Sequence, residues 1–332
     1  MPPSVGWGFI GAGGVARRRM LPAARELPEV AISAVMVREQ SRAEAIAAEF
    51  GARAAYQRVE DLLADAAVEA VYIATPPDVH GEQVVAAAEA GRHILLEKPM
   101  ALDLPTCDRM LAAVASAGVR LAVCFPLRHA PAVRTLRDWL RAGEFGDLIY
   151  LRAQLAKWYP LEAGAWRSDP RQAGGGVVMD LGSHLLDLAT WLGGPIRDLG
   201  AQIATRVWPV EVEDTAVLTL GFESGAQAIL DVSFAVHDSA NLIEVYGTEG
   251  YALAPSPREP TAIVRVTGEG REEVSVGRAN VYAAELLDFT AAVRTGAAAQ
   301  TSGDDGRQNV ACLRAAYRAA ARATRERPGE VE

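Results

Sequence analysis

Short apolar runs separated by alanine-rich helical stretches dominate the first 124 residues. The runs VGWGFI (5–10), VAISAVMV (30–37), EAVYIAT (69–75), HILLEK (93–98) and RLAVCF (120–125) read as strands, since strands buried on both faces are nearly continuous in apolar residues. Between them, SRAEAIAAEF, HGEQVVAAAEAG and LPTCDRMLAAVASAG have helical spacing, and several end at a glycine suited to the left-handed residue after a helix. This alternation predicts a parallel sheet with crossover helices.

After Phe125 the grammar changes. A helix over 132–142, a long strand LIYLRAQLAKW, a glycine triplet and a helix over 177–192 precede the strand runs TAVLTLGF, AQAILDVSFAV, LIEVYG and AIVRVTG. Turns such as Glu223-Ser224-Gly225 and Gly268-Glu269-Gly270 join some of these runs, which predicts a mostly antiparallel sheet. One face of such a sheet packs on helices, and an open face rich in Val, Ile and Leu suits self-association. Helices over 281–294 and 306–325 close the chain, and the last few residues read as a frayed end. The expectation is therefore an α/β Rossmann domain over 1–124 and an α+β domain with a large, open, mostly antiparallel sheet over 125–332.

Half of the 332 residues are hydrophobic, enough for two cores. A net charge of −9 argues against nucleic acid, whose binding rests on a surplus of Lys and Arg. Cys107, Cys124 and Cys312 are an odd number without CxxC spacing and read as buried free thiols. No apolar run approaches the roughly 18 residues of a membrane span, and Arg17-Arg18-Arg19 follows the first strand instead of preceding an apolar export segment. These features lead to an expected cytoplasmic location, with neither membrane nor nucleic acid as partner.

The first strand runs directly into Gly11-Ala12-Gly13-Gly14-Val15-Ala16, a GxGxxA turn opening a helix. Gly11 permits the tight turn, Gly13 lets backbone approach a pyrophosphate, Ala16 allows close helix–strand packing, and the N–H groups at the helix start attract the anion. Dinucleotide binding follows. An NAD-selective site places an acidic residue at the end of the second strand, where this chain has Val37. Arg38 and Arg42 follow and could pair a 2′-phosphate, so NADP(H) is favoured over NAD(H); the alternatives are solvated surface arginines or stacking on adenine.

Two further turns belong to the strand ends where open α/β sheets bind ligands: Thr75-Pro76-Pro77, followed by His80, and Glu97-Lys98-Pro99. Later, Asp180 and His184 are four apart on an expected helix, which puts both on one face. A histidine titrating near pH 6.5 suits proton transfer to and from a carbonyl oxygen, with Asp180 orienting the ring or holding a substrate hydroxyl. Asp187 shares that face and competes for the orienting role. A buried histidine satisfied by an aspartate is the structural alternative. Two further convergent ligands are lacking, so no metal is expected. Trp166 and Arg167 precede the glycine triplet on an expected lid-like loop, where an aromatic face and a guanidinium suit a sugar or nicotinamide; Tyr159 is a further substrate-side candidate.

Taken in order, GFIGAGGVA, ATPPDVHGEQVVAAAEAGRHILLEKP, WRSDPRQAGGGVVMDLGSHLLDLATWLGG and NVYAAELLDF resemble the Gfo/Idh/MocA oxidoreductases across nearly the whole chain. The resemblance implies hydride transfer between a nicotinamide cofactor and a carbon of a sugar, sugar-derived ketone or polyol, and assembly as a homodimer or homotetramer. It makes Lys98 the active-site lysine, puts Asp180 and His184 in the substrate pocket, and sets Trp166, Arg167 and Tyr282 beside the cofactor. The lack of an acid at Val37 and the NVY segment are most similar to the NADPH-dependent 1,5-anhydrofructose reductases. Phe125, Pro126 and His129 depart from the histidines and asparagine of that subgroup, which implies a less polar pocket and leaves dihydrodiols as alternative substrates. A non-catalytic dinucleotide-binding regulator and a lyase-like use of tightly held NAD are the competing functions.

Overall fold

The computed structural model describes residues 4–237, 239–256, 262–323 and 325–326. The chain divides into two compact units: Met1–Pro126 with Asn280–Arg307, and Leu127–Ala279 with Gln308–Glu332.

The first unit is built on a six-stranded sheet of β1 (Val5–Ile10), β2 (Val30–Met36), β3 (Ala54–Tyr56), β4 (Ala70–Ile73), β5 (His93–Leu96) and β6 (Leu121–Val123). The spatial order is β3-β2-β1-β4-β5-β6, parallel throughout. Every residue of β1 is buried, as a central strand covered on both faces requires. The strand order reverses direction beside β1, the crevice where doubly wound sheets bind ligands. Register makes that edge level: Ile10 pairs with Met36 and Ile73, Ile73 with Leu96, and Leu96 with Val123. The residues that follow, Gly11, Val37, Ala74, Glu97 and Cys124, consequently begin one row of turns. The three-residue β3 was not among the expected strands; AAY is too short to show a period.

The helices between these strands are α1 (Leu21–Arg25), α2 (Gln40–Phe50), α3 (Val59–Leu63), α4 (His80–Glu89) and α5 (Leu104–Ala117). Asp103 caps α5 by accepting from the Thr106 N–H at 2.7 Å, and Gly118, at φ +65°, ends it.

A boundary at 124/125 gives everything beyond it to the second domain, yet Asn280–Arg307 groups with the first unit. The reason is apolar burial. Leu286 and Phe289 join the core of Trp7, Phe9, Tyr72 and Leu95, and the Phe289 ring meets Trp7 edge-on at 5.8 Å. That packing is invisible to a boundary drawn where the strand–helix grammar changes.

The second unit contains α6 (Pro131–Ala142), β7 (Leu148–Ala156), α7 (Pro170–Ala173), α8 (Ser183–Gly193), β8 (Ile196–Ala204), β9 (Thr215–Phe222), β10 (Gln227–Ser233), β11 (Leu242–Gly247), β12 (Gly250–Pro255), β13 (Ala262–Thr267), β14 (Gly270–Ser275) and β15 (Arg325–Glu326). They form a nine-stranded sheet, β14-β13-β12-β11-β7-β10-β9-β8-β15. All its neighbours are antiparallel except β7 and β10. The expected large, mostly antiparallel sheet is thus present, with β8, β12, β14 and β15 added to it. In β9 and β10, buried Ala216, Leu218, Leu220, Ala228 and Leu230 alternate with exposed Val217 and Ile229, so one face packs inward and the other is open. α8 packs on the inner face against β7 and β10, with Leu185, Leu186, Leu188 and Ala189 all buried. Helix α9 (Val281–Thr295) belongs to the first unit, and α10 (Gly303–Arg322) has residues in both. α10 ends three residues before the expected 325, and the frayed end expected beyond it lies outside the described residues. Among the described residues no helix is long and apolar enough to cross a membrane.

Candidate active site

The glycine turn comes first along the ligand edge. Gly11 has φ +76°, and a Cβ there would stand 2.8 Å from the Ala74 carbonyl oxygen, so the turn after β1 needs glycine both for its dihedral and for its closeness to the β4 turn. The Gly11 and Ala12 N–H groups donate to the Met36 carbonyl at 3.0 and 3.1 Å, tying the turn to the end of β2. Gly14, at φ +44°, is exposed, and a Cβ there would meet nothing within 4 Å. Backbone is therefore open where the helix begins, and its first N–H groups have no partner within the helix. Ala16 is fully buried, as close packing demands, while Val15 is half-buried. Ala16–Met20 forms a π-helical turn before α1, where a plain helix is expected.

Val37 is half-buried, and Arg38 and Arg42 are exposed. The Arg42 guanidinium reaches back over the turn, since a Cβ on Gly13 would lie 3.0 Å from it. A cation thus lies beside the open glycine backbone, so the residues present fit a dinucleotide phosphate.

Next along the edge, Thr75 Oγ1 donates to Gln83 Oε1 at 2.7 Å and Pro77 is buried. His80 is 1 % exposed and ties two turns together: Nε2 lies 3.0 Å from the Thr75 carbonyl, and Nδ1 lies 3.1 Å from that of Pro99 and 3.3 Å from that of Met100. Burial holds its pKa below the ordinary histidine value, outweighing the carbonyls that favour the charged ring. His80 is a brace between the Thr75 and Lys98 turns.

Glu97 accepts from the Tyr72 hydroxyl at 2.5 Å, and both Glu97 and Lys98 are half-buried. The Tyr72 and Cys124 pKa values are pushed well up, first by burial and then by the charges of Glu97 and Glu285; the Lys98 charge acts on Cys124 in the opposite direction. Protonated Tyr72 and Cys124 therefore back the turn that carries Lys98. Tyr282, at the start of α9, packs against the first unit's core, and Asn280 caps that helix through the Tyr282 and Ala283 N–H groups.

In the second unit the segment expected as one helix is two. Val178–Gly182 is a π-helical turn, and α8 follows it. A single π turn is too short to show a period of its own, so periodicity does not reveal it. Two features hold it. The Val177 N–H donates to the Glu213 carbonyl at 3.0 Å and the Val178 N–H to Glu213 Oε1 at 2.9 Å, while Tyr317 donates to the same Oε1 at 2.8 Å. Gly176 is required there, because a Cβ would stand 1.9 Å from the Glu213 carbonyl oxygen.

Asp180 emerges from this turn half-buried, with its Oδ2 3.6 Å from Lys157 Nζ, and His184 is 9 % exposed on α8. Asp187, the competing partner for the imidazole, lies against Arg128. Arg128 donates to it through Nε at 3.0–3.1 Å and Nη2 at 2.6 Å, and both residues are almost fully buried. Tyr159 is half-buried, its ring 5.3 Å from that of Phe234. The Arg167 guanidinium stacks over the Trp166 ring at 4.3 Å on a single 3₁₀ turn, Trp166–Ser168. Among the described residues no group of three or more His, Cys, Asp or Glu could hold a metal ion.

Comparison with known proteins agrees with this fold. Residues 5–125 match the family described as "Oxidoreductase family, NAD-binding Rossmann fold", and residues 133–253 match the "GFO/IDH/MocA C-terminal domain". The chain belongs to the Gfo/Idh/MocA oxidoreductases. It is 32 % identical over 320 residues to 1,5-anhydro-D-fructose reductase of Ensifer adhaerens, covering 95 % of this chain and 96 % of that one. It is 31 % identical over 315 residues to D-xylose 1-dehydrogenase (NADP(+)) 2 of Haloferax volcanii, covering 93 % and 94 %. A solved structure of aldose-aldose oxidoreductase from Caulobacter crescentus, complexed with glycerol, superposes with a TM-score of 0.90 at 25 % identity, covering 98 % and 99 %.

Two residues of this Gfo/Idh/MocA oxidoreductase escape a reading of the sequence alone. Lys157 leaves β7 two residues before Tyr159, so strand alternation puts both on one side, a signal available in AKWYP. Glu285, 2 % exposed, reaches Cys124 from α9 across 161 positions of chain, and no local pattern reports such an approach.

Proposed function

We propose that this oxidoreductase transfers a hydride between nicotinamide C4 and a carbon of a sugar, sugar-derived ketone or polyol, with NADP(H) preferred. The observation that carries the reading is the charged pair Lys157–Asp180 beside aromatic rings, with Asp180 four residues from His184 on a segment that other residues hold rigidly. A nicotinamide dinucleotide on the glycine turn supplies or accepts the hydride. In the reducing direction His184 delivers a proton to the developing alkoxide, and in the oxidising direction it removes one. Lys98, at the carboxyl edge of β5, donates a hydrogen bond to the reacting oxygen and stabilises its negative charge. Asp180 accepts from a substrate hydroxyl. Arg42, over the glycine turn, and Arg38, just past β2, supply charge for a 2′-phosphate where Val37 offers no acceptor to a ribose hydroxyl. The names of the Ensifer and Haloferax relatives support the sugar class, and that of the Haloferax relative also supports the NADP choice.

The open face of the nine-stranded sheet is proposed to pair with a second copy of the chain. It exposes Val217 and Ile229 and carries stacked Tyr150, Tyr246 and Tyr251, with ring centroids 4.5 and 5.2 Å apart.

The reading is tested by following reduced-nicotinamide absorbance with 1,5-anhydro-D-fructose, D-xylose, D-glucose, myo-inositol and a dihydrodiol, each with both cofactors. Turnover of a sugar or polyol that His184→Ala lowers at least about 100-fold, with cofactor affinity unchanged, is the expected result. Turnover of the dihydrodiol alone, or of nothing, overturns it.

A further inference from the structure

Lys157 has no chemical role of its own in the hydride-transfer reading. Its backbone continues β7 past Ala156: the Lys157 N–H donates to the Ser233 carbonyl and the Tyr159 N–H to that of Phe234, both at 2.9 Å. Trp158, between them, bridges Ala235 and turns the other way, where its ring stacks on His237 at 3.8 Å. The extended backbone thus puts Lys157 and Tyr159 together. The Lys157 ammonium lies 4.6 Å from the Tyr159 ring centroid, 5.2 Å from that of Phe234 and 3.6 Å from Asp180 Oδ2. A flexible lysine is held on three sides, by two π faces and a carboxylate.

Such a pair has a definite chemical meaning. Its net charge is zero, so it does not select an ion. It presents a cationic donor about one hydroxyl spacing from an anionic acceptor, and both are multivalent: an ammonium has three N–H groups, and a carboxylate has about four lone-pair positions. A vicinal diol is the matching ligand, one hydroxyl oxygen accepting from Lys157 and the neighbouring hydroxyl donating to Asp180. The rings of Tyr159 and Phe234 complete the subsite with an apolar floor for carbon-bound hydrogens.

We propose that Lys157 is a specificity-determining residue that, with Asp180, binds two adjacent hydroxyls of the substrate. The assignment rests on the hydride-transfer reading above and narrows its substrate class to compounds with a diol next to the reacting carbon. It also accounts for the placement of Asp180, whose carboxylate lies 3.6 Å from Lys157 Nζ and leaves the chain on the π turn of Val178–Gly182.

The test uses the full-length enzyme with the best substrate of the panel and its deoxy analogues at each carbon flanking the reacting one. In the wild type, removing the recognised hydroxyl is expected to lower kcat/KM about 10- to 100-fold, the range for losing one hydrogen bond to a charged group. Lys157→Met should lower kcat/KM for the full substrate by a similar factor, mainly through KM, while barely affecting the deoxy analogue, so that the deoxy penalty shrinks to about threefold or less. Lys157→Arg, which keeps the cation, should restore most of the discrimination. Cofactor affinity, read by nicotinamide fluorescence, should be the same in all three proteins. An undiminished deoxy penalty in Lys157→Met, or a loss in kcat alone, overturns the Lys157 assignment and leaves the hydride-transfer reading standing. If the wild type turns over no sugar or polyol with either cofactor, both fall together.

Discussion

The buried pair Arg128–Asp187 offers a perturbation whose size can be worked out beforehand and whose outcome separates two roles for one aspartate. Arg128 is 4 % exposed and Asp187 3 %, and the N–H···O distances between them are 2.6–3.1 Å. Bringing both charges out of water costs several kcal/mol each, a cost that their mutual pairing offsets. Asp187→Leu deprives the buried guanidinium of its counter-charge, and Arg128→Met does the same to the carboxylate, so each single variant should lose about 3–5 kcal/mol. For a domain of roughly 150–250 residues, 1 kcal/mol corresponds to about 2–4 °C, so melting should fall by about 6–20 °C. The double variant removes both charges together. Arg137 remains over the Trp191 ring at 3.9 Å, where Arg128 stood at 5.6 Å, so the indole keeps a cation. The double variant should therefore recover to within about 1–2 kcal/mol of the wild type. Urea unfolding and calorimetry of the four proteins measure the coupling directly. A single-variant loss below about 1 kcal/mol, or no recovery in the double, refutes the account. Activity gives the second readout: if Asp187 only neutralises Arg128, the refolded double variant keeps its turnover, whereas if Asp187 orients His184, turnover collapses although stability returns.

Other outcomes follow from single observations. Arg38→Ala combined with Arg42→Ala should weaken NADPH binding about 10- to 100-fold per lost charge-assisted bond while sparing NADH, by fluorescence titration; equal weakening refutes a 2′-phosphate contact. His80 is held neutral by burial, so its folded pKa lies below the unfolded value of about 6.5, and the stability it supports is present above that pH and lost as pH falls through it. Between about pH 7.5 and 5.5 the wild type should lose more stability than His80→Gln, with a difference slope of up to about 1.4 kcal/mol per pH unit in urea titrations; equal slopes would contradict this. Ile229→Asp, on the open sheet face, should shift light-scattering mass toward the monomer with the fold retained by circular dichroism; an unchanged mass rules out that face as the interface. Burial pushes the thiols of Cys107 and Cys312 up to about 12 and that of Cys124 well up, so native protein at about pH 8 should release no chromophore from a disulfide reagent, while denatured protein reacts at all three; a native reaction places a thiolate at the surface.

How much of this was legible in the residues depends on the range over which each feature is encoded. The GxGxxA turn, its flanking strand and the row of strand-end turns are local, since each needs only a few neighbouring residues and the parallel register to align them, and all could be read directly. The spacing of Asp180 and His184 is local too, but the environment of the pair is not. The π turn beneath Asp180 depends on Glu213 and Tyr317, 33 and 137 positions farther on, and its glycine is dictated by a carbonyl rather than by a turn type. For Asp187, i,i+3 spacing records which helix face it takes and says nothing about Arg128 arriving from 59 positions upstream. The same holds for Asn280–Arg307, whose helix carries an ordinary apolar stripe that names no recipient core. Long-range electrostatic partners were thus what the sequence withheld, and they decide the chemistry. Asp180 lies beside an ammonium and Asp187 beside a guanidinium, so two aspartates one turn either side of the same histidine stand in different electrostatic settings. The half-buried, multivalent pair is open to a ligand from solvent, whereas the bidentate pair is buried.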